Sequence, residues 1–110
     1  VENVCGAEEI GEMVKIPGLD WVLVGRYDMS GSTDRFCDVE SPPVWNAVRK
    51  IFDTANAAGI PTGNAVVGVK NIEKALEMGC RLITLGEDTT LLIEVLDNAL
   101  KAFQKAINEK

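Results

Sequence analysis

The sequence contains no histidine among its 110 residues, so the side chain that proteins use most often for proton transfer near neutral pH is absent. Any general acid or base in the chain must therefore be a carboxylate, a metal-bound water or a lysine amine. The lysines considered for that role are Lys15, Lys50, Lys70 and Lys74. A histidine-dependent step would need another chain or another segment.

Cysteine is also scarce. Cys5, Cys37 and Cys80 lie far apart in the sequence and form no C-x-x-C pair. An odd number of separated cysteines is typical of reduced thiols, so we expect a cytoplasmic protein. A catalytic cysteine is disfavoured, because no histidine is present to activate it.

Basic residues are outnumbered, since 11 lysines and arginines stand against 17 aspartates and glutamates and the formal net charge is −6. This balance argues against nucleic acid or an anionic membrane surface as a partner. No apolar run approaches the roughly 20 residues of a membrane-spanning helix. With 46% hydrophobic and 25% charged residues, the composition is typical of one globular domain, which we assign to residues 1–110.

Helical and strand patterns alternate along the chain. Helices are predicted at residues 6–15, 41–59, 71–79 and from 89 to the end, and strands at residues 19–24, 60–67 and 81–85. If Glu2 also ends a strand, these elements make four βα units with connections of right-handed crossover length. We therefore predict an α/β fold with parallel strands that forms half of a (β/α)₈ TIM barrel, with its first strand truncated. The other half is expected from a longer chain, a second copy or a separate subunit.

Four of the six aromatic side chains are assigned to packing, namely Trp21, Trp45, Phe52 and Phe103. The last helix carries a stripe wider than packing on one side requires, so we expect it also to contact a partner chain. Its members are Leu91, Leu92, Val95, Leu96, Ala99, Leu100, Phe103 and Ile107.

Two acidic residues are the candidates for chemistry. Asp28 follows the apolar run that ends at Val24 and opens a long polar loop predicted for residues 28–40. In parallel α/β proteins, ligands bind at the carboxyl ends of the strands, although an aspartate there is often only a turn former or a helix cap. Glu2 lies 26 residues earlier, about the length of one helix and one strand. If both acids end neighbouring strands, they can share one cation.

Five segments in order resemble the C-terminal half of the HpcH/HpaI aldolase family, which comprises metal-dependent (class II) pyruvate aldolases. They are VEN at 1–3, PGLDWVLVGRYDMS at 17–30, AGIPTG at 58–63, LEMGCR at 76–81 and LGEDTTLL at 85–92. Arg26 departs from the family, which commonly has proline at this position. The arginine could bind a substrate carboxylate, or it could be a surface residue paired with an acid of the long loop.

The resemblance implies that Glu2 and Asp28 bind a divalent cation, Mg²⁺, Mn²⁺ or Co²⁺, and that backbone N–H groups around Tyr27 and Asp28 hold the substrate carboxylate. It implies cleavage of a 4-hydroxy-2-oxo acid to pyruvate and an aldehyde through a metal-stabilised enolate. The family's catalytic histidine and pyruvate-binding arginine belong to the N-terminal half, so this chain alone is expected to be inactive. The family also implies a homo-oligomer, often a hexamer, with the last helix exchanged between neighbours.

Two other interpretations remain open at this point. A phosphate-binding barrel is suggested by Gly63 and Gly86 near strand ends, but it is disfavoured by the adjacent acids Glu87 and Asp88, which are better explained as turn and cap residues. The other is a non-catalytic half-barrel subunit or fragment that associates through its open sheet and its last helix.

Overall fold

The computed structural model describes residues 1–65 and 72–109 and contains, within them, five helices and three strands. The helices are α1 (Val4–Met13), α2 (Arg26–Ser32), α3 (Pro42–Ala57), α4 (Ile72–Glu77) and α5 (Asp88–Asn108). The strands are β1 (Val22–Val24), β2 (Thr62–Ala65) and β3 (Cys80–Thr84). They form a parallel sheet in the order β1-β2-β3. Successive parallel strands with helices between them confirm the predicted α/β class.

The first residues of the chain add an extended segment beside β1. The amino group of Val1 donates to the carbonyl of Leu23 at 2.6 Å, and the N–H of Gly25 donates to the carbonyl of Val1 at 3.1 Å. A residue that bonds to two residues spaced two apart on its neighbour follows the parallel-strand pattern. The chain therefore runs alongside β1 in the same direction, and Glu2 comes next, at the carboxyl end of the sheet. Asn3 then caps α1 by accepting from the N–H of Gly6 at 2.7 Å.

The core lies between one face of the sheet and helices α1 and α3. Val22 and Val24 of β1 are buried there, and α3 contributes the apolar stripe predicted from its sequence. Its buried members are Val44, Trp45, Val48, Ile51, Phe52 and Ala55. Burial of Trp45 and Phe52 confirms their assignment to packing.

The opposite face of the sheet is formed in part by Leu23, Gly63 and Leu82. A β-carbon placed on Gly63 would lie 2.9 Å from Cδ1 of Leu23 and 3.0 Å from Cδ2 of Leu82, so the two leucines close over the glycine. Leu82 is nevertheless 39% exposed. In a complete (β/α)₈ barrel this face is the packed interior. An exposed inner face beside a covered outer one is the arrangement of a partial barrel.

Glycines follow the ends of helices α3 and α4, as predicted. Gly59 follows α3 with a φ of +78°, and Gly79 follows α4 with a φ of +84°. These left-handed conformations are open to glycine at little cost, and they turn the chain toward the next strand. The predicted cap Asn71 and the predicted end of the second strand at residues 66–67 lie outside the described residues.

Helix α5 has no buried residue over its 21-residue length. The molecule measures 63 × 27 × 22 Å and has a radius of gyration of 17.3 Å. A compact domain of this size would have a radius of gyration of about 13 Å. The predicted apolar stripe is therefore uncovered within this chain. Among the described residues no helix is both long and apolar enough to span a membrane.

Of the two other aromatic residues assigned to packing, Trp21 was assigned wrongly, whereas Phe103 belongs to the stripe of α5 for which a partner chain is predicted. Phe103 is 63% exposed on α5, and Trp21 is 46% exposed just before β1. Neither ring reaches the core because the core is built on the stripe of α3 and on alternate residues of β1. Apolar character predicted burial for both side chains but could not say which surface would bury them.

Candidate metal site at the carboxyl end of the sheet

Asp28 lies in the first turn of helix α2 rather than in the structureless loop predicted for residues 28–40. The helix begins after Gly25, whose backbone is still extended at φ −91° and ψ 96°. Short polar side chains support it by donating to carbonyls three residues earlier, Ser30 at 2.6 Å and Ser32 at 2.9 Å. A carboxylate in the first turn also interacts favourably with the helix dipole. The prediction of a structureless loop is therefore wrong at its start.

The side chain of Glu2 lies directly over Gly25. A β-carbon placed on Gly25 would be 2.9 Å from Cγ of Glu2 and 3.0 Å from its Oε1. The missing side chain of Gly25 therefore makes the space that the Glu2 carboxylate occupies. Gly25 is also the N-cap residue of α2, so Glu2 lies at the start of the helix that carries Asp28.

A further link joins the Glu2 segment to α2. The N–H of Val4 donates to Oγ of Ser32 at 3.1 Å. Asp28 and Ser32 are four residues apart in the same helix, so they share one face of it. Asp28 therefore lies on the face of α2 that contacts the segment just after Glu2. The structure places both exposed carboxylates at the same end of the sheet.

The donor set suits a hard divalent cation. Mg²⁺ and Mn²⁺ prefer oxygen ligands, and Mg²⁺ in particular is held by one or two carboxylates and keeps several positions for water and substrate oxygens. Within residues 1–65 and 72–109 no cluster of three or more cysteines, aspartates and glutamates could hold a metal ion. The sequence predicts this role for two carboxylates, Glu2 and Asp28, and the space over Gly25 accommodates the first of them.

Tyr27 lies next to Asp28 and is 61% exposed. A side-chain hydrogen bond with Cys37 raises the pKa of Tyr27 above its ordinary value. The N–H of Cys37 in turn donates to Oγ of Ser30 at 3.0 Å, which fastens the segment after α2 to the helix itself. Gly25 has no side chain that could cap the first N–H groups of α2, among them those of Tyr27 and Asp28.

Arg26 is buried, with only 5% of the residue exposed. Its Nη1 donates to Oε1 of Glu40 at 2.7 Å and to the carbonyl of Val39 at 3.4 Å. Pairing of Arg26 with an acid of the following segment is therefore confirmed, although the arginine is not on the surface. Its contact with a substrate carboxylate stays a prediction.

Glu40 and its partners were missed by sequence reasoning. Trp45 donates its indole N–H to Oε2 of Glu40 at 3.0 Å, and Nζ of Lys74 lies 4.0 Å from the same oxygen. Burial opposes ionisation of Glu40, but hydrogen bonds from Arg26 and Trp45 and the positive charges of Arg26 and Lys74 hold its pKa below the ordinary value. One signal was available, namely an arginine where related sequences commonly have proline.

The acids after β3 lie at the turn that leads into α5, as predicted, but the Glu87 side chain makes no cap hydrogen bond. Glu87 occupies the N-cap position of α5, and Oδ1 of Asp88 accepts from the N–H of Thr89 at 2.7 Å. Carboxylates at this helix start would repel a phosphate. This part of the chain therefore does not favour the phosphate-binding interpretation.

Comparison with known proteins gives several aldolases, although no family model matches the chain. A 2-keto-3-deoxy-L-rhamnonate aldolase from Klebsiella pneumoniae is 29% identical over 104 residues, which cover 94% of this chain and 39% of that protein. An HpcH/HpaI aldolase/citrate lyase family protein from Burkholderia cenocepacia superposes with a TM-score of 0.88 at 27% identity over 94% of this chain and 40% of its own.

An HpcH/HpaI aldolase from Desulfitobacterium hafniense has the same fold, with a TM-score of 0.88 at 22% identity over 94% of this chain. The chain thus spans about two-fifths of the length of the relatives it matches. These findings confirm the resemblance to the C-terminal part of HpcH/HpaI aldolases and the partial α/β barrel.

Proposed function

We propose that this chain, which matches the C-terminal part of HpcH/HpaI aldolases, supplies two metal ligands to a class II aldolase that cleaves a 4-hydroxy-2-oxo acid to pyruvate and an aldehyde. One observation carries the proposal: the Glu2 carboxylate rests on Gly25, the N-cap of the helix that presents Asp28. Relatives that are aldolases, aligned over 94% of the chain, support it.

Glu2 and Asp28 have the role of ligands in this proposal. Both are exposed carboxylates, and their segments are joined by hydrogen bonds from the N–H of Gly25 to the carbonyl of Val1 and from the N–H of Val4 to Oγ of Ser32, so we expect them to face a common ion. When bound, a divalent cation would supply Lewis acidity toward the keto oxygen of a 2-oxo acid. Mg²⁺, Mn²⁺ and Co²⁺ all accept such oxygen ligands.

The first turn of α2 has the role of holding the substrate carboxylate. Its leading N–H groups have no acceptor within the helix, and the N-cap residue Gly25 offers no side-chain acceptor. In the proposed complex these N–H groups, around Tyr27 and Asp28, donate to the carboxylate, which interacts favourably with the start of a helix.

Proton transfer is not assigned to this chain. It has no histidine, and the two acids that lie together would be committed to the metal. We propose that the group that moves the proton and a cation for the pyruvate carboxylate come from a part of the barrel that this chain does not supply. The chain by itself would then bind metal and a 2-oxo acid without turning over an aldol.

The proposal is tested by measuring Mn²⁺ binding to the full chain. Electron paramagnetic resonance monitors binding as the loss of the free-ion signal. Glu2→Gln and Asp28→Asn should each weaken binding at least tenfold, because each removes one of two charged ligands. Asp20→Asn is the matched control, since it removes the same charge from an exposed aspartate near the opposite end of β1. Wild-type affinity in Asp28→Asn would rule out the proposed site.

We further propose that α5 packs against a second copy of the chain in a homo-oligomer. Its apolar stripe is wholly uncovered in one copy, with Leu96 at 59% and Leu100 at 53% exposure. Continuous apolar surface of this kind marks an interface with another protein surface. The resemblance to HpcH/HpaI aldolases also predicts that this helix is exchanged between neighbouring chains.

A further inference from the structure

Arg26 is a buried charge at the first position of α2, two residues before Asp28. A buried guanidinium is costly unless it is paired and hydrogen-bonded. Its partner is Glu40, at 2.7 Å, from the segment that leads into α3. The start of the helix that carries Asp28 is therefore fastened to a residue 14 positions later in the chain.

Glu40 is itself held from two further helices. Its second carboxylate oxygen accepts from the indole of Trp45 on α3 at 3.0 Å, and the ammonium of Lys74 on α4 approaches to 4.0 Å. The Trp45 ring also lies 4.6 Å from the guanidinium carbon of Arg26 and 3.5 Å from Nζ of Lys74, both within cation–π range. Trp45 is only 7% exposed, so this cluster is anchored in the core.

Helix α2 depends on such outside contacts for its direction. It has seven residues, whereas isolated helices shorter than about 12 residues are marginal in water, and Gly25 gives it no side-chain cap. Met29 anchors its middle in the core, and Ser32 joins its end to Val4. The ion pair of Arg26 is the charged contact at the end where Asp28 lies, beside the hydrogen bond between Tyr27 and Cys37.

We propose that Glu40 is a positioning residue, which fixes the first turn of α2 through Arg26 and so sets the direction of the Asp28 carboxylate. The inference rests on the proposed function, because it assigns Asp28 to the metal. A proline at this position would fix the first turn by its ring, whereas here a buried guanidinium pairs with the half-exposed carboxylate of Glu40, which Trp45 and Lys74 also contact.

A charge-free version of the pair tests this role. Arg26→Met with Glu40→Gln keeps the volume against Trp45 and leaves no unpaired buried charge, so the chain should fold. The matched control is Glu12→Gln with Lys15→Met. It also removes one positive and one negative charge, from an exposed 2.6 Å ion pair at the end of α1. Circular dichroism melts confirm folding, and Mn²⁺ affinity is then measured well below the melting temperature by electron paramagnetic resonance.

We expect the double variant to bind Mn²⁺ about 10-fold more weakly than wild type, the lower end of the loss found when groups that contact metal ligands are removed, because Arg26 and Glu40 act on Asp28 only through the helix. The control pair at Glu12 and Lys15 should bind like wild type. Arg26→Lys keeps the charge pair and should bind more tightly than the double variant. Unchanged affinity in the folded double variant overturns the inference while leaving the proposed function intact. If wild type binds no Mn²⁺, the proposed function fails and the inference fails with it.

Glu40→Gln alone is the second variant, for the case in which the double variant does not fold. Its amide oxygen can still accept from Arg26, so the fold is kept while the charge is lost. A smaller loss of Mn²⁺ affinity in the same direction supports positioning. Wild-type affinity in this single variant contradicts it.

Discussion

Replacing Gly25 by alanine perturbs the candidate site without altering a ligand. The backbone at Gly25, with φ −91° and ψ 96°, suits any L-residue, so alanine brings no backbone strain. Its β-carbon would lie 2.9 Å from Cγ, 3.0 Å from Oε1 and 3.3 Å from Cδ of Glu2. Carbon contacts are favourable at about 3.5–4.0 Å, so the Glu2 side chain must move by roughly 0.5–1 Å.

This movement should change the stability of the fold little but weaken metal binding strongly. Glu2 is exposed, so its side chain can swing into water, and we expect the free energy of unfolding to change by less than about 0.5 kcal/mol, as for most surface substitutions. Mg²⁺ requires oxygen ligands at about 2.0–2.1 Å in near-octahedral geometry, and metal sites tolerate errors of only about 0.2 Å. The displaced carboxylate would miss the ion. We expect binding to weaken about 10-fold to 100-fold, which corresponds to about 1.4–2.7 kcal/mol.

The assay is Mn²⁺ titration of the folded chain together with urea unfolding of the same samples. Gly11→Ala is the control, because no heavy atom lies within 4 Å of a β-carbon at Gly11. In the interior of α1 that change should stabilise the fold by about 0.5–1 kcal/mol and leave Mn²⁺ affinity unaltered. If Gly25→Ala binds Mn²⁺ as tightly as wild type, then either Glu2 is not a ligand or its position over Gly25 is unimportant, and the argument for the site is refuted.

Two further predictions concern the core and the last helix. Asn64 is fully buried on β2, and neither atom of its amide has a hydrogen-bond partner among the described residues, so Asn64→Leu should raise the free energy of unfolding in urea by about 1–3 kcal/mol. Asn56→Leu is the control and should lower the free energy of unfolding, because the Asn56 amide accepts from Thr62 and donates to the Gly79 carbonyl, both at 3.3 Å. A lower free energy of unfolding in Asn64→Leu would contradict the prediction. On α5, Leu96→Glu should dissociate the proposed homo-oligomer in light scattering, whereas Lys101→Gln, which lowers the net charge equally on the polar face, should leave its mass unchanged. A monomeric wild-type chain would contradict the proposed assembly.

The long periodic elements were predictable because each carries its signal within itself. The 16 residues of α3 show an apolar stripe that repeats at helical spacing, and burial of that stripe follows from the hydrophobic effect. Gly59 and Gly79 marked helix ends because glycine takes up a left-handed conformation easily. The first strand was predicted from residue 19 but begins at Val22, and the third was predicted one residue too late along the chain, since pairing with a neighbour decides where a strand begins and ends.

Helix α2 could not be predicted in the same way. Seven residues give no more than two turns, so no periodicity was visible among Gly, Ser and Asp. Its stability comes from contacts that form only after folding, namely Met29 in the core and Arg26 on Glu40. The loop prediction for residues 28–40 was therefore wrong at its start, where Asp28 lies.

The candidate site was predictable in part for the same physical reasons. The spacing of Glu2 and Asp28 already placed two acids at one end of a parallel sheet, because that relation depends only on element lengths and direction. An acid of the loop was predicted as a possible partner of Arg26, but Glu40 could not be singled out, since its partners Arg26, Trp45 and Lys74 lie on three different helices and meet only in the folded chain. Side chains that position a ligand are thus harder to find from sequence than the ligand.

In the proposed aldolase, this chain supplies the metal ligands and another part of the barrel supplies the proton-transferring group. It presents two carboxylates and the start of α2 at one end of its sheet, yet it has no histidine. Its inner sheet face is exposed at Leu82, which a complete barrel would bury. The same missing surface would therefore both cover this face and bring the proton-transferring group to the metal. Burial of the inner sheet face and completion of the proposed active site would then depend on the same added surface. The proposed aldolase activity should therefore appear only when the inner face of this sheet is covered.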